Sequence, residues 1–167
     1  MKIAITSDVH NNEVNLGKVL AYCKEKKIET LVCCGDLASI DTLNFLNDNF
    51  SGNILYTFGN ADYDDLRELE TQKKYKRIYL FKRFGEAIIE KKNVAFTHYP
   101  QKAKNLALTR KYAFVFYGHT HKPWTEKINN CTMLNPGNVA GEIYPPTFAV
   151  WNTENDTFEL IRIHSLK

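Results

Sequence analysis

Phe114-Val115-Phe116-Tyr117-Gly118-His119-Thr120-His121 is the stretch that decides how this chain reads. Four aromatic or β-branched residues in succession form a buried strand. The run stops at Gly118, and two imidazoles follow, one residue apart. A strand that ends in Gly-His-x-His offers two nitrogen ligands from one short turn. Imidazole binds first-row divalent metals at neutral pH. On its own the pattern is also that of a polar turn, so its meaning depends on the other strand ends.

The chain has 167 residues, 44% of them hydrophobic and 25% charged, which predicts one globular domain spanning 1–167 rather than disorder or a membrane protein. A net charge of +3 is too small to argue for nucleic acid by itself. The start, Met1-Lys2-Ile3-Ala4-Ile5, carries too short an apolar run for a signal peptide. Four cysteines without a CxxC spacing read as reduced, buried thiols, and together these features predict a cytoplasmic protein.

Outward from the opening stretch, the first half alternates strand and helix. Lys2–Thr6, Ile28–Cys34 and Ile54–Phe58 read as strands. Asn12–Lys27, capped by Asn12, and Ser39–Asn49 read as helices, with Val14, Leu16, Val19, Leu20, Tyr22 and Cys23 inward on the first. Asp64–Leu69 reads as a short helix, Gln72–Arg77 as a basic segment, and Lys102–Thr109 as another short helix. Ile78–Phe81, Glu86–Glu90, Val94–Thr97, Trp124–Ile128, Cys131–Leu134, Thr147–Asn152 and Thr157–His164 read as strands. The pattern predicts parallel strands with helical crossovers, followed by antiparallel additions from the tail.

Five of these strands are followed at once by a polar cluster: Ser7-Asp8-Val9-His10, Gly35-Asp36, Gly59-Asn60, His98 and Gly118-His119-Thr120-His121. Ligands in α/β sheets gather at the carboxyl ends of strands. Four of the five histidines fall in these clusters. The donors are Asp8, His10, Asp36, Asn60, His98, His119 and His121, more than one tetrahedral ion needs. Two ions sharing a carboxylate are the natural solution, and Asp36, alone on its turn, is the best bridge. Asp8 and His10, read as extended, point the same way and reach one ion. His119 and His121, on a turn, diverge to separate ions. After Asp8, Asp36 and a bridging hydroxide, two divalent cations leave a net charge of about +1, which suits a phosphate ester anion.

In that order the motifs resemble the calcineurin-like metallophosphoesterases, and the short length and Asn135-Pro136-Gly137 are similar to its small prokaryotic phosphodiesterase branch. The resemblance runs from Ile3 to about Gly137. It implies an α/β fold, a four-layer αββα sandwich of two mixed β-sheets. It implies that Asp8, His10, Asp36 and His121 hold one metal, and Asp36, Asn60, His98 and His119 the other. Manganese is the usual metal, with nickel, iron, cobalt or zinc as alternatives. A metal-bridging hydroxide would attack phosphorus in a small phosphodiester, with Asp36, Asn60 and His98 as the catalytic set.

Departures from the family pattern are local. Ala61 stands where many members carry the histidine that stabilises the leaving group. Tyr99 replaces a usual glycine after His98, Asn11 replaces a glycine, and Asn138 replaces a serine. Asn12 matches a common asparagine, and with Tyr99 it is expected on the substrate side. Asp62 reads as a loop hydrogen-bonding residue, and His164 as surface.

Two other functions compete. The same fold serves as a protein-interaction scaffold in a retromer subunit, although this chain keeps all seven donors. A nuclease would use the basic run Lys73-Lys74-Tyr75-Lys76-Arg77, which reads more simply as a solvated face. Tyr75, Tyr79, Phe81 and Phe84 could mark the surface of a homodimer or higher homo-oligomer. No run approaches membrane-spanning length.

Overall fold

The structure, a computed structural model, describes residues 1–62 and 75–166. The expected helix Asp64–Leu69, and Lys73 and Lys74 of the basic run, lie outside the described residues. β1 (Lys2–Thr6), α1 (Glu13–Glu25), β2 (Thr30–Cys33), α2 (Ile40–Asn49) and β3 (Asn53–Thr57) form the alternating first part. β4 (Ile78–Phe81), β5 (Gly85–Ile89), β6 (Lys92–Phe96), α3 (Pro100–Leu108) and β7 (Phe114–Phe116) follow. β8 (Trp124–Ile128), β9 (Cys131–Asn135), β10 (Thr147–Asn152) and β11 (Thr157–Arg162) complete the chain, which closes on a 3-10 turn at Ile163–Ser165.

The helix starts have local causes. Asn12 Oδ1 accepts the Asn15 N–H at 3.0 Å, and Ser39 Oγ accepts the Thr42 N–H at 3.2 Å, each satisfying an orphan donor of a first turn. α3 starts at Pro100 rather than at Lys102, because proline fits the first helical position and keeps Tyr99 extended before it. Val14, expected inward, is 75% exposed. α1 buries Leu16, Val19, Leu20 and Cys23, and Val14, two residues before Leu16, falls on the opposite face.

Two mixed sheets result, with strand orders β11-β10-β1-β2-β3-β4 and β5-β6-β7-β9-β8. β1 through β4 pair in parallel, as do β6–β7 and β7–β9. β10, β11, β5 and β8 add antiparallel. The parallel pairing of β9 corrects the expectation that the whole tail is antiparallel. The mostly exposed β8 takes the edge, and the apolar β9 returns from the Asn129-Asn130 turn into the gap beside β7.

Strand alternation then sets four layers. Ile3, Ile5, Val32 and Cys34 face Val94, Phe96, Phe114, Phe116 and Leu134 between the sheets, around the buried Trp151. Ala4, Leu31, Cys33, Ile54 and Tyr56, on the other face of the first sheet, meet α1 and α2. Ala95, Val115 and Met133 meet Ala103, Leu106 and Ala107 of α3. All four cysteines are free and buried, and burial pushes the Cys23 and Cys33 thiols up to about 12. Among the described residues, no helix is long and apolar enough to cross a membrane.

Of the four aromatics expected to form a surface, only Tyr79 is exposed. Phe81 packs edge-on against Phe96, Phe84 lies under the Lys102 ammonium, and the Tyr75 hydroxyl donates to Asn44 Oδ1 at 2.7 Å. The Arg77 guanidinium donates to the carbonyls of Ser51 and Asn47, which makes it a loop clamp rather than a free cation.

Candidate metal centre

β1, β2 and β3 of one sheet and β6 and β7 of the other end at a common edge. There the chain turns through an unusual backbone. Asp8 (φ 53°), His10 (45°), Asn11 (61°), Asp36 (59°), Ala38 (79°), His119 (71°) and His121 (59°) are all left-handed. Each costs roughly 1–2 kcal/mol for a residue with a Cβ. Such a concentration persists only where the surroundings over-determine it, as at functional sites. The segment Asp8–His10 is therefore not extended, as alternation had suggested. Both side chains still reach one spot, because the turn redirects each of them. Asn11 takes the left-handed position more easily than most residues do. Its Oδ1 accepts the hydroxyls of Ser39 at 2.6 Å and Thr42 at 2.8 Å.

Glycines let the loops close on one another. A Cβ on Gly35 would stand 2.6 Å from His98 Nδ1, one on Gly59 2.8 Å from Asp36 Cγ, and one on Gly118 2.7 Å from Asp8 Oδ2. Each glycine before a donor thus makes room for a donor from a different strand end, which explains the recurring Gly-Asp, Gly-Asn and Gly-His pairs.

The seven donors gather in two groups. His121 Nε2 lies 3.2 Å and His10 Nε2 3.8 Å from Asp8 Oδ1, and the two ring nitrogens are 3.3 Å apart. In the other group His98 Nε2, His119 Nδ1 and Asn60 Oδ1 lie within 2.9–3.2 Å of one another. Asp36 Oδ2 stands between the groups, 3.2 Å from His98 Nε2 and 3.8 Å from His10 Nε2. Asp36 Oδ1 is held by the Ala61 N–H at 2.8 Å, and Asp8 Oδ2 by the His119 N–H at 3.0 Å.

This arrangement fits cations. His98 Nδ1 faces the Cys34 carbonyl at 2.8 Å and His121 Nδ1 the Glu142 carbonyl at 3.3 Å. A carbonyl only accepts, so both Nδ1 atoms carry the proton, and the neutral rings aim Nε2 lone pairs inward. Around His98 Nε2, the facing Asp36 Oδ2 and Asn60 Oδ1 are also acceptors. Asp8 Oδ1 is buried and, among the described residues, receives no hydrogen bond. Acceptors turned on acceptors in a buried site call for a proton or a metal ion between them.

Without metal, protons take that place. Burial works to raise the Asp8 pKa, but the His10 and His121 imidazoles, which donate to it once protonated, and the charge of His98 outweigh burial and hold the carboxyl well below its usual range. The Asp8 carboxylate raises His10 and His121 above the ordinary imidazole value. Burial lowers His98, yet Asp36 beside it shifts the balance upward.

The profile of the calcineurin-like phosphoesterase superfamily domain matches residues 1–156. The chain belongs to that superfamily. Members of the calcineurin-like phosphoesterase superfamily bind divalent metal ions, and Asp8 with His10 and His121, and Asp8 with Asp36 and His98, are candidate ligand sets for them. The chain is 29% identical to phosphodiesterase MJ0936 of Methanocaldococcus jannaschii over 164 residues, 96% of this chain and 98% of that one. It is also similar to the solved structure of a novel archaeal phosphodiesterase, with a TM-score of 0.86 and 27% identity over 97% of this chain and 99% of the other. Vacuolar Protein Sorting 29 from Cryptosporidium parvum shares the superfamily fold at a TM-score of 0.68 and 16% identity, covering 96% and 95% of the two chains.

The other expected residues are placed as follows. Tyr99 stands at the site, 40% exposed, its ring centroid 5.1 Å from that of His98 and 5.7 Å from that of His119. Asn12 is tied into the protein at the start of α1. Its Oδ1 caps α1 and its amide donates to the Ala140 carbonyl at 2.9 Å, so both ends are engaged within the protein. His164 is exposed, on the 3-10 turn rather than on a strand.

Several supporting residues were not legible as such in the sequence. Ser7 Oγ donates to the Cys34 carbonyl at 3.1 Å beneath Asp8. The Asn135 amide donates to the Gly118 carbonyl and to Thr120 Oγ1. Asn138 donates to the His121 carbonyl at 3.1 Å and accepts from the N–H groups of Gly141 and Glu142. Through Asn135 and Asn138 the Asn135-Pro136-Gly137-Asn138 segment braces the histidine loop.

Proposed function

We propose that this chain, one domain over 1–167, is a dimetal phosphodiesterase acting on a small phosphodiester. Asp8, His10, Asp36 and His121 would hold one divalent ion, and Asp36, Asn60, His98 and His119 the other. The observation that carries this reading is the position of Asp36 Oδ2, within 4 Å of a ring nitrogen of each group. Similarity to phosphodiesterase MJ0936 supports the choice of diester. When bound, the two ions supply Lewis acidity for the phosphoryl oxygens and an activated water as nucleophile.

The chain's own residues hold the geometry. Asp36 sets the spacing between the two groups. His98, oriented by the Cys34 carbonyl, and Asn60 keep the second group's lone pairs converged. Tyr99 walls that side and presents a ring to the substrate's ester group. Ala61 offers no proton, so esters whose leaving groups need none are favoured. Imidazole and carboxylate together suit manganese, with nickel, iron, cobalt and zinc as alternatives. A cytoplasmic location agrees with four reduced cysteines. Association into a homo-oligomer is read by sedimentation.

The test is hydrolysis of bis(p-nitrophenyl) phosphate by metal-stripped protein, with each ion returned in turn. Turnover restored by Mn²⁺ and lost in Asp36→Asn is expected. No turnover with any divalent ion would remove the enzyme reading.

A further inference from the structure

Asp62 belongs to neither donor group, yet it is 2% exposed and its carboxylate accepts three backbone N–H groups. Oδ1 accepts the Ala38 N–H at 3.0 Å. Oδ2 accepts the N–H groups of Asp36 at 3.0 Å and Gly59 at 2.6 Å. The three donors come from two loops, one carrying Asp36 after β2 and one carrying Asn60 after β3. Two of them belong to the left-handed residues Asp36 and Ala38. The tie is reciprocal. Asp62 holds the Asp36 backbone, while the Asp36 side chain holds the Ala61 N–H from the Asp62 loop. A buried carboxylate that gathers three N–H groups is a strong and directional anchor.

We propose that Asp62 is the positioning residue of the metal centre. It clamps Asp36 and Ala38 in their left-handed conformations and fixes the Asn60 loop against them, so that Asp36 Oδ2 stays between the two donor groups. The inference rests on the dimetal reading above. Asp62 touches no ion and no substrate in this role; it acts through the backbone of a bridging ligand.

Asp62→Asn is nearly isosteric and removes one acceptor. Whichever way the amide turns, its NH₂ faces a backbone N–H. Mn²⁺ binding to the full chain is followed by calorimetry and by electron paramagnetic resonance, in which two neighbouring Mn²⁺ ions give a coupled spectrum distinct from that of isolated ions. Leu46→Ala, which truncates a buried α2 residue away from the donor set, serves as a variant that loses stability without touching the loops. The expected result is a fall in Mn²⁺ affinity of about 10–100-fold in Asp62→Asn with the coupled spectrum replaced by an isolated-ion one. Leu46→Ala keeps both. Adding Ala38→Gly to Asp62→Asn recovers affinity, because glycine holds a φ of 79° without strain.

Unchanged affinity and an intact coupled spectrum in folded Asp62→Asn would overturn the assignment while leaving the dimetal reading standing. Absence of a coupled spectrum from the native protein would overturn both. Failure of Asp62→Asn to fold, with or without Ala38→Gly, would make Asp62 a folding residue and overturn its assignment to the site.

Discussion

Gly59→Ala tests how tightly the edge is built. Gly59 does not occupy a left-handed conformation, so alanine meets no backbone strain there, and only space decides the outcome. The new methyl would lie 2.8 Å from Asp36 Cγ and 2.9 Å from Asp36 N, and closer still to Asp36 Oδ1. Carbon atoms pack at about 3.5–4.0 Å, so the carboxylate or the loop must retreat by roughly 1 Å. Retreat of the carboxylate breaks its bond from the Ala61 N–H and carries Oδ2 away from His98. Ligand positions in metal sites tolerate only about 0.2 Å. Overpacking of this kind costs about 1–3 kcal/mol in stability. The loss in Mn²⁺ affinity should be larger than that stability change suggests, on the order of 10–100-fold for a displaced ligand. Calorimetric titration of metal-stripped protein, at a temperature where circular dichroism shows the variant folded, reads this directly. Affinity within a factor of about two of the parent, with turnover of an activated aryl diester also unchanged, would refute the argument that glycine is there for the carboxylate.

Three further outcomes are expected. In metal-free protein the raised pKa values of His10, His98 and His121 make a stability contribution that is full below the ordinary imidazole value of about 6.5 and is lost as pH rises through the raised values. Metal must displace those protons, so Mn²⁺ affinity should climb as pH rises through the raised imidazole values, with proton release, which calorimetry in two buffers of different ionisation enthalpy detects; a pH-independent affinity would contradict it. Ala61→His should raise hydrolysis of diesters with poor leaving groups on the order of 100-fold and flatten the dependence on leaving-group pKa, whereas an equal gain on activated esters would sink the proton-donor interpretation. Asn138→Ala removes the buried partners of the His121 carbonyl and of two N–H groups, and should cost about 2–4 kcal/mol by urea denaturation while exposing 141–144 to limited proteolysis.

The alternation of apolar runs and polar strand ends was enough to predict the sheet-and-helix pattern and to select the seven donors. Both signals are local: strand propensity, and a polar donor cluster directly after the strand, opened by Gly at three of the five ends. The same local rules misjudged Val14, whose helix face depends on which stripe of α1 meets the sheet, and β9, whose place beside β7 depends on a competition with the more polar β8. They took Asp8–His10 as extended, although the crowded edge forces both residues into left-handed backbone. They also gave no sign that Asn12 bonds to the Ala140 carbonyl across 128 residues and so holds two loops together.

Residue types and their order therefore determined which atoms could bind metal. Which donors stand together, and which residues hold them there, was decided by two sheets packing face to face, because that packing brings strand ends far apart in sequence within hydrogen-bond distance. Asp62 shows the difference most plainly: as a letter it is one more loop aspartate, and only its three N–H partners from two loops make it an anchor.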